Sequence, residues 1–412
     1  MRRLALISIL AFFTLLVSSQ IVFAEGGIAW PVSTPVCTKS GDQLNIRMAP
    51  DGSGGAIIVW EDYRIAGNCN IYAQRIGSSG NPVWDSDGVI VSTAPNSQIK
   101  PVIVSDGSGG AIIAWEDYRD PTYPAIFAIR ISSSGVTAWA GEVKLRDAPG
   151  YGQYSPEIVS DGQGGAVVVW EEKGTTDYSI YAQSVKGDGS IPTPWTLGVA
   201  ISTGTLAKEN PKITRSDSDN VIVTWQDKQM MDYDIYAQRV SISGGTAKWG
   251  TYGKPVSQAN DNQIEPEIVS DGSGGAIITW EDYQGPATAP DIYAQRISYD
   301  GQPVWMTNGT PICKADGIQE NPVIMNDLLS GATIGAIIAW EDRRNRDSDI
   351  YAVKVGTDTP SLQSGDEKLM AGWIGDQVAP RMVSDNQGGG VIAWKEKDLF
   401  TDSYKIFASK RN

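Results

Sequence analysis

Residues 263–317 read QIEPEIVSDG, then SGGAIITWEDY, then, after a short loop, DIYAQRISYDG, then QPVWMTNGTPICKADG. Each segment is a short run rich in β-branched and aromatic residues, and turn-forming residues close each one, so the stretch predicts four antiparallel strands, a to d. The SDGSGG connection predicts a tight a-to-b hairpin whose glycines supply positive φ. Strand b, AIITW, is apolar without alternation, so both of its faces must be covered.

The same pattern recurs along the chain. Tryptophans 60, 115, 170, 225, 280, 340 and 394 mark strand b at spacings of 55, 55, 55, 55, 60 and 54 residues. Tryptophans 30, 84, 139, 195, 249 and 305 form a second ladder in strand d. A period near 55 is too long for a helical solenoid and suits a four-stranded unit. Radially stacked sheets cover both faces of strand b, whereas a two-layer sandwich leaves one polar face per strand. The expected fold is therefore all-β: a seven-bladed β-propeller, with blades beginning near residues 42, 97, 152, 207, 262, 318 and 376.

The last repeat stops at strand c, while residues 27–41, GIAWPVSTPVCTKSG, match strand d of the other repeats. The N-terminal strand is expected to complete blade 7 and remove the free sheet edge at the seam. Residues 1–24 have two arginines, an apolar run and Val22-Phe23-Ala24, the pattern of a secretory signal peptide. The expected mature chain is a single domain, 25–412, secreted or periplasmic, without a membrane span, and a monomer.

Loss of Arg2 and Arg3 with that leader takes the formal charge from −15 to −17, which disfavours nucleic acid as a partner. There is no histidine, so a Ser-His-Asp triad and the commonest zinc ligand are excluded. Chemistry left open uses paired carboxylates, or calcium held by oxygen ligands. Of the three cysteines, Cys37 and Cys69 are placed to meet at the seam as a disulfide; alternatively all three are buried thiols.

A Trp-Glu-Asp motif or a variant ends every strand b: Glu61-Asp62, Glu116-Asp117, Glu171-Glu172, Gln226-Asp227, Glu281-Asp282, Glu341-Asp342 and Lys395-Glu396. Repetition in every blade favours architecture, because a catalytic pair is needed once; calcium binding stays open beside it. Glutamines opening strand a, such as Gln98 and Gln263, read as blade-to-blade hydrogen bonders. The b-to-c loops differ between repeats and crowd one face. They carry Tyr63, Arg64, Tyr118, Arg119, Tyr123, Tyr178, Tyr233, Tyr283, Arg343, Arg344 and Tyr404, residue types that dominate binding surfaces. These are the candidate ligand-binding residues, and no catalytic residue is assigned.

The phrases SDGSGGAIIAWEDYR, DIYAQRI and DGQPVW resemble the repeats of secreted bacterial and archaeal β-propeller proteins over the whole mature chain. Ser298-Tyr299-Asp300-Gly301 with Trp305 also resembles the Asp-box of sialidase-type propellers, with glycine directly after aspartate where that family has one residue between. The sialidase Phe or Tyr-Arg-Ile-Pro motif is not found. Three functions follow as expectations: a non-catalytic module binding a protein or cell-surface partner through the b-to-c face, a lectin holding glycans in repeated inter-blade clefts, and a glycan hydrolase or lyase using a pair such as Glu171 and Glu172.

Overall fold

The computed structural model describes residues 34–411, apart from 66, 230, 285–288, 330, 359, 361–366, 373–374, 385–388 and 398–403. It is a seven-bladed β-propeller. Each of blades 1 to 6 is an antiparallel sheet in the order a-b-c-d, as in blade 5: Gln263–Ser270, Ala276–Asp282, Asp291–Ile297 and Thr310–Cys313. Strand a of each of blades 1 to 6 contacts strand a of the following blade. The single helix among the described residues is a 3-10 turn at Thr193–Trp195.

Strand b is covered on both faces, as its composition requires. Ala111–Asp117 and Ala276–Asp282 are buried at every position. Each strand-b tryptophan stacks on the aromatic opposite it in strand c, with ring centroids 6.1 to 6.5 Å apart. The second tryptophan ladder joins blades: the indole N–H of Trp84, Trp139, Trp249 and Trp305 donates to a carbonyl in the next blade's c-to-d hairpin at 2.9 to 3.2 Å. Four-residue growth of the blade 6 hairpin extends strands Gln319–Leu329 and Ala332–Asn345, and Asn326 of that extension donates to the Ser270 carbonyl of blade 5.

The repeated carboxylates have two separate duties. Strand a has a bulge in every blade, centred on a residue with positive φ: Asn45, Lys100, Ser155, Asn210, Glu265, Asn321 and Ala379. The bulge turns a backbone N–H out of the ladder. From blade 2 onward that N–H donates to the first side chain of the preceding blade's motif: Lys100 to Glu61, Ser155 to Glu116, Asn210 to Glu171, Glu265 to Gln226, Asn321 to Glu281 and Ala379 to Glu341, at 2.6 to 3.1 Å. The second carboxylate works within its own blade. Asp62, Asp117, Asp282 and Asp342 each accept the strand-b indole N–H and a loop backbone N–H. Glutamate is too long for that geometry: the buried Trp170 and Trp394 indoles, beside Glu172 and Glu396, are left without a partner.

Two expectations are corrected. Most of the strand-a glutamines bind their own d-to-a crossing rather than the neighbouring blade: Gln98 donates to Ala94 and Asn96 carbonyls, and Gln263 to Asn260 and Asp261. Gln153 does reach across, accepting from Ile126 N–H of blade 2 at 2.8 Å. Cys37, Cys69 and Cys313 are all free thiols, so the Cys37–Cys69 bridge is not formed. Cys37 is held instead against Asp62 and Arg64, and burial pushes the Cys69 thiol up to about 11.

Of the expected closing segment, residues 27–33 lie outside the described residues and residues 34–41 form no strand, and blade 7 has three described strands, Gln377–Ser384, Gly390–Lys397 and Tyr404–Arg411. Cys37 and Thr38 of that segment lie against blade 1. Cys37 faces Asp62 at 4.0 Å as Cys313 faces Asp342 at 3.7 Å, and Thr38 N–H donates to Asp87 as Gln258 N–H donates to Asn308.

Candidate functional site

The b-to-c loops gather on one face, and most of their polar groups are satisfied internally. Arg64 makes two bonds to Asp62 at 2.6 and 2.7 Å and lies 3.7 Å over the Tyr72 ring. Arg119 does the same with Asp117 and Phe127 and also bonds Glu142; Arg344 does it with Asp342 and Tyr351. Arg343 pairs with Glu320 at 3.0 Å at the surface. The hydroxyls of Tyr63, Tyr118 and Tyr283 turn back onto Glu61, Glu116 and Glu281, and Tyr233 donates to Glu209 at 3.0 Å. Burial raises the pKa of Tyr118 and Tyr283, and the neighbouring glutamates add to it. Tyr178 is half-buried in strand c of blade 3, and the side chain of Tyr404 lies outside the described residues.

Tyr123 differs from all of these. The loop Asp120-Pro121-Thr122-Tyr123-Pro124 is held by Asp120, whose side chain accepts the backbone N–H groups of Thr122 and Tyr123 at 2.9 and 3.2 Å. That turn presents the Tyr123 ring to solvent, 45% exposed. On one side of it lies a cleft of about 410 Å³ between blades 2 and 3, walled by Phe127, Tyr151, Asp117, Arg119, Lys144, Arg146 and Asp147. On the other side lies a hollow of about 340 Å³ with Tyr154, Lys173, Thr122 and Thr175 on its walls.

The Asp120–Pro124 loop and the d-to-a crossing that follows blade 2 are sequence that other repeats lack. The d-to-a crossing Arg146-Asp147-Ala148-Pro149-Gly150-Tyr151 closes a turn through Tyr151 N–H to the Ala148 carbonyl, with Gly150 at φ +85°. The turn sets the Tyr151 hydroxyl 3.2 Å from Asp177. Arg146 bonds Glu172 and the Leu197 carbonyl while lying 4.1 Å over Tyr181. Lys173 is held charged by Glu171 and Glu209 against the opposing effect of burial. The cleft thus offers an exposed ring edge, carboxylates and cations within a concave surface, the usual make-up of a small-ligand site. Tyr151, Tyr154 and Lys173 were absent from the sequence expectation; the aberrant crossing RDAPGYG was the signal for the first of them.

The candidate catalytic pair is tied into the scaffold. Glu171 accepts from Asn210 N–H and pairs with Lys173 at 2.8 Å, and Glu172 accepts from Arg146 and Gln153. Among the described residues no group of three or more His, Cys, Asp or Glu side chains is placed to hold a metal ion. No described helix is long and apolar enough to cross a membrane.

No known protein family matches the sequence, and no curated protein matches it. Solved structures share the fold at low identity. The polysaccharide lyase Uly1 is 8% identical, covering 95% of this chain and 94% of its own, with a TM-score of 0.52. A protein of unknown function from Dyadobacter fermentans is 11% identical over 91% of this chain and 95% of its own, with a TM-score of 0.46. The Hadza microbial sialidase Hz136 is 13% identical over 84% of this chain and 74% of its own, with a TM-score of 0.43. These likenesses are of fold alone.

Proposed function

We propose that the protein is a secreted, non-catalytic binding propeller that engages a cell-surface partner by holding carbohydrate in the blade 2–blade 3 cleft. The observation that carries this is Tyr123, a solvent-facing ring shared by two polar hollows on the loop-bearing face. A pyranose needs one flat apolar surface for its C–H face and directional acceptors and donors for its hydroxyls; Tyr123 and Tyr151 supply the first, and Asp120, Asp147 and Lys144 the second. Binding is favoured over hydrolysis because each carboxylate lining the cleft already has a partner: Asp117 bonds Trp115 and Arg119, Asp120 bonds the Thr122 and Tyr123 N–H groups, and Asp147 bonds Lys144.

The test is a broad glycan array probed with the chain from Glu25 to Asn412, wild type and Tyr123→Ala, with the bound spots analysed for cleavage. Saturable binding lost in Tyr123→Ala, without cleavage products, is the expected result. Cleavage of the bound glycan would replace the reading with a catalytic one, and a blank array would end the carbohydrate assignment.

A further inference from the structure

Four blades seat a guanidinium in the same place. Arg64, Arg119, Arg146 and Arg344 lie 3.7 to 4.1 Å over the ring of Tyr72, Phe127, Tyr181 and Tyr351. Each also bonds the last carboxylate of that blade's motif, Asp62, Asp117, Glu172 or Asp342. The ring's inner face rests on the strand-b tryptophan, so indole, aromatic ring and guanidinium form a three-layer stack closed by a carboxylate.

Blade 4 has the seat without the cation. Gln229 stands where blades 1, 2 and 6 have arginine, and its amide donates to Asp227 Oδ1 at 2.8 Å, reaching the carboxylate while bringing no charge. Tyr236 stacks on Trp225 at 6.1 Å, and no cation lies over its other face among the described residues. That face opens into a hollow of about 400 Å³, whose walls include Asp227, Lys208, Ser202, Thr203 and Tyr252. Blade 5 also has a glutamine, Gln284, but there Lys314 leans over Tyr293 at 5.7 Å.

The charge around the blade 4 seat is one cation short. Asp227 and Asp234 are buried and directly opposite each other on strands b and c. Among the described residues the ammonium of Lys208, 3.2 Å from Asp227, is the one cation paired with either of them. Lys228, the other lysine of the site, stands over Tyr233 at 5.6 Å. Burial, with Asp227 and Asp232 adding to it, pushes the Asp234 carboxyl up to about 6, as expected of an undercompensated pair.

We propose that the hollow over Tyr236 is a guanidinium-binding site: a planar cation supplied by a ligand lies on the Tyr236 ring and pairs with Asp227, completing in trans the stack that four other blades complete in cis. The guanidinium is either an arginine side chain of a partner protein or a small guanidino compound. The hollow lies between blades 3 and 4 and shares no lining residue with the two hollows beside Tyr123, so its occupancy is independent of the carbohydrate reading.

The test is a titration of the whole chain, followed by calorimetry or NMR, with agmatine, with a short capped peptide holding one arginine, and with cadaverine as the ammonium control. Wild type should bind agmatine at least tenfold more tightly than cadaverine. Gln229→Arg, which fills the seat from within, should weaken agmatine binding at least tenfold, and Tyr236→Leu, which removes the ring face, should do the same. Peptide binding as tight as agmatine binding assigns the site to a protein partner; agmatine binding alone assigns a small guanidine. Equal binding of cadaverine, unchanged binding in folded Gln229→Arg or Tyr236→Leu, or no binding of either guanidine at millimolar concentration would overturn the proposal.

Discussion

Replacing Glu116 isolates the bond that joins one blade to the next. Glu116 is fully buried, accepts Ser155 N–H at 2.6 Å from blade 3 and Tyr118 hydroxyl at 3.1 Å, and pairs with Lys100 at 2.9 Å. Glu116→Ala leaves a part-buried backbone N–H without its acceptor and removes a bond to a charged group. The first loss costs about 1–3 kcal/mol and the second is of similar size but overlaps it, so about 2–4 kcal/mol is expected in total. The Lys100 ion pair adds little, because half of that lysine is in solvent. Glu116→Gln should cost about 1 kcal/mol, since blade 4 already uses a glutamine there: Gln226 accepts Glu265 N–H at 3.1 Å. Urea unfolding of both variants reads the difference as a shift in midpoint at constant slope. If the glutamine variant falls as far as the alanine variant, charge rather than the inter-blade hydrogen bond is what the position supplies. An alanine variant as stable as wild type would remove the staple altogether.

Other consequences are as direct. Burial raises Asp234 and Asp291 to about 6 and Glu281 to about 7, so each binds its proton more tightly folded than unfolded, where carboxyls titrate near 4. These groups therefore favour the folded state below about pH 4 and lose that contribution as pH rises to about 7; stability measured by urea should fall across that window, and Asp234→Asn with Asp291→Asn should flatten the fall. Trp170→Ala, at a fully buried indole stacked on the half-buried Tyr181, should destabilise by about 3–5 kcal/mol without altering ligand preference; a binding change at unchanged stability would contradict a purely packing role. Because the motif carboxylates bond indole and backbone N–H groups, EDTA should leave the melting temperature where it was, and a fall restored by calcium would show that some of them hold metal.

The fold was legible because the repeat converts weak local signals into a strong one. A single Ala-Ile-Ile-Thr-Trp run could be a buried strand or part of a helix; seven copies at a near-constant spacing leave room only for stacked four-stranded units. The architectural duty of the carboxylates was legible for the same reason, but their partners were not. The bulge N–H that Glu61 and its counterparts accept comes from the next blade, about 39 residues away in sequence, and the nearest written trace is the proline after the bulge, at 101, 156, 211, 266, 322 and 380. A proline there adds no competing donor to the ladder. Site residues were legible by type but not by exposure. Arg64 and Tyr123 look alike as surface loop residues in the sequence; in space Arg64 is sandwiched between Asp62 and Tyr72, while Asp120 and two prolines project Tyr123. The cleft needed the d-to-a crossing of blade 2 as well, which composition alone does not pair with the blade 2 loop.

The central claim is that what repeats in this chain is architecture and what occurs once binds the ligand. Stoichiometry tests it most directly. Calorimetric titration of the chain with a glycan identified on the array should give one carbohydrate per chain and none in Tyr123→Ala. Five or more equivalent sites, persisting in that variant, would place binding in the repeated inter-blade clefts and contradict the account.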